Sequence, residues 1–166
     1  MDTSLWNVFQ SKGMAADPKR DDAPLTALHH LEYTYRRSVG PVLGRFFAGL
    51  RERRIEGVRT RGGRVLVPPA EYDPDTGEAT RDEFVPVGPG GTVTGWTWVA
   101  KPRAKQPLAH PFAFALILLD GADTPLLHAV DALDEARMRT GMRVRPRWRD
   151  ETRGEIGDIA CFEPEG

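Results

Sequence analysis

The side chains in this sequence with types suited to chemistry fall into a few groups. Cys161 is the single thiol. It stands in an apolar run, Ile159 to Phe162, with no neighbouring base, the setting of a buried structural cysteine rather than a nucleophile. His128 and Asp131 are three apart, a spacing at which a base and its orienting carboxylate are found. On a strand, however, residues three apart point to opposite faces. His29, His30 and Glu32 form a second titratable group. Adjacent histidines on a helix diverge by about 100°, so a solvated or interface face is the expectation for them rather than a metal site. The three serines, Ser4, Ser11 and Ser38, lie outside any G-x-S-x-G elbow. Phosphate loops of the G-x-x-x-x-G-K-[ST] and G-x-G-x-x-G kinds are absent. No catalytic residue is expected on this chain.

Trp96 and Trp98 alternate with Thr97 and Val99, which places both indoles on one face of a strand. Beside them stands an arginine ladder, Arg143, Arg145, Arg147 and Arg149. Aromatics flanked by a basic groove serve single-strand nucleic-acid binding. Tryptophan and arginine are equally the residues that anchor protein interfaces. Acidic residues in the same region (Asp120, Asp123, Asp131, Asp134 and Glu135) and a net charge of −1 favour the interface. Charge is nonetheless uneven: residues 36–64 hold nine arginines against Glu52 and Glu56. Of these, Arg51, Arg53, Arg54, Arg59, Arg61 and Arg64 are the best candidates for gripping a phosphate, because guanidinium forks match phosphate geometry.

Several elements must position these groups. Residues 1–23 are polar and turn-rich and are read as a flexible tail. Residues 24–56 form a helical segment. Leu25, Leu28 and Leu31 recur at helical spacing after Pro24, and a second helix begins near Pro41. Its apolar face is Val42, Leu43, Phe46, Phe47 and Leu50. Residues 57–83 punctuate one short apolar strand, Arg64 to Val67, with Gly62-Gly63, Pro68-Pro69 and Asp75-Thr76-Gly77, the pattern of a knuckle with little core. From Phe84 to the end the pattern is all-β. Thr92–Ala100 is rich in β-branched and aromatic residues. Phe112–Leu119 is continuous enough to be buried on both faces. Five strands with a short helix before the fourth predict an OB-type Greek-key barrel over 84–166. The fold class is therefore α+β. No apolar run reaches membrane-spanning length, and the first residues lack the basic and apolar regions of a signal peptide, so a cytoplasmic protein is expected.

The order of motifs is itself informative. A helix ending F-F-x-G-L is followed by G-R-V-x-x-P-P, then G-T-V-x-x-W-T-W-V, P-F-A-x-A-L-I-x-L-D-G, G-M-R-V and I-A-C-F-E-P. Over residues 33–164 this resembles the rubredoxin-like zinc-ribbon and OB-fold proteins that accompany thiolase-like enzymes, formerly a domain of unknown function. That family's ribbon carries C-x2-C-x10-C-x2-C about zinc. The matching positions here are Arg59, Gly62, Asp73 and Thr76, so the spacing survives without a cysteine. The resemblance therefore implies a degenerate knuckle without zinc, held by packing of Val65, Val67, Pro68 and Tyr72. It further implies a non-catalytic accessory subunit of a thiolase-like aldolase. The style of Y-x-Y-R-R-S-V-G-P is similar to members linked to retro-aldol cleavage of steroid side-chain acyl-CoA thioesters. Val42, Phe46, Phe47, Leu50, Trp96 and Trp98 are the expected partner contacts, and the six arginines the expected contacts to CoA phosphate. No cofactor is expected. A single-stranded nucleic-acid-binding module is the alternative.

Overall fold

A computed structural model describes residues 38–80 and 83–166. The tail over 1–23, the helix expected from Pro24, and His29, His30 and Glu32 lie outside the described residues.

Helix α1 spans Gly40–Arg51. Pro41 suits its first turn, where the missing N–H costs nothing. Val42, Phe46 and Leu50, four residues apart, form its buried side. The helix is terminated by Arg53, whose φ of +57° is the left-handed conformation common after a helix end. There Arg54 N–H donates to Gly49 C=O and Arg53 N–H to Leu50 C=O, both at 2.9 Å.

A three-stranded antiparallel sheet follows: β1 (Glu56–Arg59), β2 (Val65–Leu66) and β3 (Phe84–Pro86), in the order β2-β1-β3. Phe84 thus pairs with Val58 in the knuckle rather than opening the barrel. Gly57 is required here, since a Cβ would lie 2.5 Å from Val65 Cγ1 and 3.0 Å from the Leu66 carbonyl oxygen.

The barrel consists of β4 (Gly91–Val99), β5 (Phe112–Leu119), β6 (Leu126–Val130), β7 (Arg143–Trp148) and β8 (Ile159–Pro164). It closes in the order β4-β5-β6-β8-β7. A 3-10 turn at Glu135–Arg137, capped by Asp134, precedes β7. This is the five-stranded closed barrel with its insertion before the fourth strand that the sequence pattern predicts.

One expectation fails on β5. Ala113, Ala115, Ile117 and Leu119 fill the interior, but Leu116 on the opposite face is 43% exposed. A strand in a single closed barrel has only one interior face, so a continuous apolar run does not mean burial on both.

Knuckle and barrel share one core. Val65 and Val67 join the apolar cluster that includes Phe46, Leu50, Ile117 and Phe162. The β5–β6 turn adds polar ties. Val65 N–H donates to Asp123 Oδ2 and Val67 N–H to Thr124 Oγ1, each at 2.7 Å. Asp123 N–H and the Thr124 hydroxyl donate back to the Val65 and Val67 carbonyls. Packing of Val65 and Val67 is as expected, whereas Tyr72 is 61% exposed and contributes little.

Candidate functional site

The structure redistributes the residues expected to contact a partner. Val42, Phe46 and Leu50 are buried, the last two inside the chain's own core. They are therefore withdrawn from any docking surface, because the barrel and small sheet already cover them. Phe47, like Leu43 of that face, stays half-buried. It lines an apolar groove of about 460 Å³ with Val39, Ala48, Gly154 and Ile156. Trp96 and Trp98 are half-buried and pack against the barrel core, while Thr94 and Thr97 face outward. Indoles committed to the core are not a free stacking platform.

The arginines do not converge on one phosphate-sized point. Arg54 pairs with Glu52 and Glu56, Arg59 with Glu83 at 2.8 Å, and Arg64 with Asp75. Arg51 donates to the Arg153 carbonyl and Arg53 to the carbonyls of Arg149 and Asp150, which fastens α1 to the β7–β8 loop. Among the described residues Arg61 forms no ion pair. In the ladder, Arg143 is clamped by Asp120 and Glu165. Its hydrogen bonds hold the Asp120 carboxyl below the usual carboxylate range. Arg147, Arg149 and Arg153 line a cavity of about 680 Å³, together with Trp148, Asp150, Glu151 and Glu155. That lining mixes both signs of charge, which makes it a poor anion funnel. The loop is shaped by Asp158, which accepts from the N–H groups of Arg153, Gly154 and Glu155 at 2.7–3.2 Å. Burial pushes that carboxyl upward, but these three donors and nearby Arg51 prevail and lower it.

The four positions that the resemblance sets against zinc ligands, Arg59, Gly62, Asp73 and Thr76, are a guanidinium, a glycine, a carboxylate and a hydroxyl. Arg59 is paired with Glu83, and Asp73 Oδ1 accepts from Asp75 N–H within its own turn. This donor set does not fit a structural zinc, which needs four thiolate or imidazole ligands. No group of three or more His, Cys, Asp or Glu among the described residues could hold a metal ion. The Arg64–Asp75 ion pair instead spans the two turns.

The titratable pairing read from sequence is also rearranged. His128 points inward and is buried, stacked edge-on against Phe162 with ring centres 5.5 Å apart. Burial lowers its pKa, so the imidazole is held neutral. Asp131 is instead met by His110, Nε2 to Oδ1 at 3.1 Å, and by Arg147, whose Nη2 donates to Oδ2 at 3.3 Å. The register of the β5–β6 hairpin, with Ala113 opposite Val130, brings these residues together. Reflecting the sequence about the Asp120–Asp123 turn sets Asp131 opposite Phe112, two residues from His110. Cys161 is fully buried, and burial raises its thiol to about 11 despite nearby Arg147. It is no nucleophile at neutral pH.

What remains uncovered is the outer face of β5 and β6. Leu116 and Leu127 are directly opposite in register and are 43% and 62% exposed. Phe114 and Leu118 flank them on the same side of β5. Farther along this face, Phe112, Ala129 and Cys161 are roofed by Val99, Leu108 and Phe114. In OB folds the second and third strands, with the loops beside them, are where ligands bind. Here that face exposes leucines, with the ring of Phe114 half-buried beside them. The signal in the sequence was the run Phe112–Leu119 itself, read as doubly buried. No helix among the described residues is long and apolar enough to cross a membrane.

Comparison with known proteins agrees with this architecture. The family described as the C-terminal OB-fold domain of ChsH2 matches residues 84–149. A DUF35-family protein of unknown function from Sulfolobus solfataricus is similar in structure, with a TM-score of 0.56 at 20% identity. That similarity covers 76% of this chain and 83% of the other. The Ltp2-ChsH2(DUF35) aldolase is similar at a TM-score of 0.57 and 19% identity, covering 78% of this chain and 98% of that one. No curated protein matches the sequence. Residues 84–149, which include β4 to β7, thus resemble the C-terminal OB-fold domain of ChsH2, on a fold shared with DUF35 proteins of known structure.

Proposed function

We propose that this chain is an accessory subunit that binds a thiolase-like aldolase and helps form its acyl-CoA site, in retro-aldol cleavage of steroid side-chain CoA thioesters. The observation that carries the reading is the unroofed leucine pair Leu116–Leu127 on the ligand-facing strands of the barrel. Opposed exposed leucines flanked by Phe114 and Leu118 form an apolar patch of the kind that marks a protein contact. The ChsH2-type barrel and the structural likeness to an aldolase assembly supply the class of partner. Docking is thereby moved from Val42, Phe46 and Leu50 to this face, with half-buried Phe47 as a second contact. For CoA phosphate, Arg61 is the best placed of the six arginines, since Arg54, Arg59 and Arg64 already carry carboxylate partners.

The test is co-expression with the thiolase-like protein encoded nearest to it, followed by size-exclusion chromatography with light scattering. Co-elution at a fixed ratio is expected, and Leu127→Asp with Leu116→Asp should abolish it while each chain stays folded. Separate elution of the unaltered chains, with this one monodisperse, sinks the partnership.

A further inference from the structure

Residues 84–119 contain no aspartate or glutamate, and their only lysines and arginines are Lys101, Arg103 and Lys105. All three stand on the loop that joins β4 to β5, and all three are exposed. Among the described residues none of them forms an ion pair. Arg54, Arg59, Arg64, Arg143 and Arg147, by contrast, each meet a carboxylate. The loop has a fixed shape. Arg103 N–H donates to Gln106 Oε1 at 2.7 Å, and Gln106 N–H donates back to the Arg103 carbonyl at 2.9 Å. Pro102, Pro107 and Pro111 restrict three further φ angles. Charges presented on a preorganised loop lose less freedom when a partner binds.

The position of the loop gives those charges a neighbour. Leu108 packs over Phe112, Ala129 and Cys161 on the outer side of the barrel. From Phe112 the same face of β5 runs through half-buried Phe114 to exposed Leu116, with Leu127 opposite in register. At about 3.4 Å per residue, the bare leucine pair lies about 14 Å beyond the covered Phe112. The other border of the strip is the Asp120–Asp123 turn. Its carboxylates are already engaged, Asp120 by Arg143 and Asp123 by the Val65 N–H. An apolar centre therefore has uncompensated positive charge at one end and committed negative charge at the other. An apolar centre with a charged rim is the anatomy of a protein interface. A nucleic-acid strand fits this face less well, since Trp96 and Trp98 pack against the core. A bilayer also fits less well, since Leu116 and Leu127 lie within strands rather than at a protruding tip.

We propose that the β4–β5 loop is the basic rim of the docking face and that the partner surface it meets is acidic. Carboxylates of the partner face Lys101, Arg103 and Lys105, beside an apolar hollow that takes Leu116 and Leu127. The inference rests on the accessory-subunit reading above and deepens it by giving the partner's surface a chemistry. The free cations act at two stages. Before contact they attract the acidic surface and raise the association rate. In contact they set which way round the partner sits, because the engaged carboxylates at the far turn offer it no equivalent pull. The leucines supply the burial that holds the complex together. Association therefore depends on ionic strength, whereas dissociation depends mainly on Leu116 and Leu127.

The experiment measures association and dissociation rates between the full chain and the thiolase-like protein encoded nearest to it, over a range of sodium chloride. From about 20 mM to about 500 mM salt, association is expected to slow about tenfold or more while dissociation changes little. Lys101→Glu, Arg103→Glu and Lys105→Glu combined should slow association about 10²-fold at low salt and remove most of the salt dependence. Leu127→Ala should instead speed dissociation and leave the salt dependence in place. Arg139→Glu is the control, an exposed cation near the start of β4, where Gly141 N–H meets the Val93 carbonyl. It should slow association less than any single reversal in the loop. Salt-independent association, or loop reversals no stronger than Arg139→Glu, overturns the proposal and leaves the partnership intact. Binding of the chain to anionic vesicles or to a single-stranded oligonucleotide, lost in the triple variant while partner association is unchanged, also overturns it. If the unaltered chains fail to associate at every salt concentration, the partnership falls, and this role falls with it.

Discussion

The knuckle and the barrel are both β-structures on one chain, yet they are held in different ways. The barrel closes on itself, so every strand finds two neighbours and an interior of fully buried side chains such as Val93, Ile117 and Phe162. The knuckle has three short strands and no thiolate or imidazole cluster among its described residues. Its stability is borrowed. Val65 and Val67 reach into the barrel's core, and Asp123 and Thr124 of the β5–β6 turn bind their backbone. A module too small to bury its own core needs a staple, and here a neighbouring hairpin supplies it. The knuckle is thus an extension of the barrel.

This contrast can be broken at three levels. Phe162→Ala, in the common core, should cost about 3–5 kcal/mol in chemical denaturation and destabilise both regions in a single transition. Two transitions would show that the knuckle is held independently. Asp123→Ala leaves the Val65 N–H without its acceptor, a loss of about 1–3 kcal/mol. Its effect should concentrate in faster hydrogen exchange at Val65 and Val67 while the barrel amides remain protected. Uniform protection would mean that the turn is not the staple. The smallest effect belongs to Arg64→Ala. The Arg64–Asp75 pair spans two turns of the knuckle but is largely exposed, so about 1 kcal/mol or less is expected. A larger loss would make the ion pair a principal staple of the knuckle.

Much of this fold was legible in the residues. The alternation in β7, with Val144 buried between outward Arg143 and Arg145, follows directly from the two-residue period of a strand. The start of α1 is written in Pro41 and the spacing of Val42, Phe46 and Leu50. Five strands and an insertion led to a closed barrel without further information. The candidate site was much less visible. Periodicity shows that a face is apolar but not what covers it. For that reason the α1 face was taken for a docking surface, and β5, the strand that is partly bare, was taken for a doubly buried one. Charge clustering along the chain also overstated the phosphate site, since Glu83 and Asp75, 24 and 11 residues away, return to neutralise Arg59 and Arg64.

The sequence alone therefore determined the local elements, the absence of thiolate ligands from the knuckle, and the structural character of Cys161. Each depends on residue type and on neighbours a few positions away. Tertiary structure decided which histidine Asp131 meets, which leucines stay outside, and what holds the knuckle. Those outcomes depend on hairpin register and barrel closure, which bring together residues tens of positions apart and leave one face of each strand to solvent.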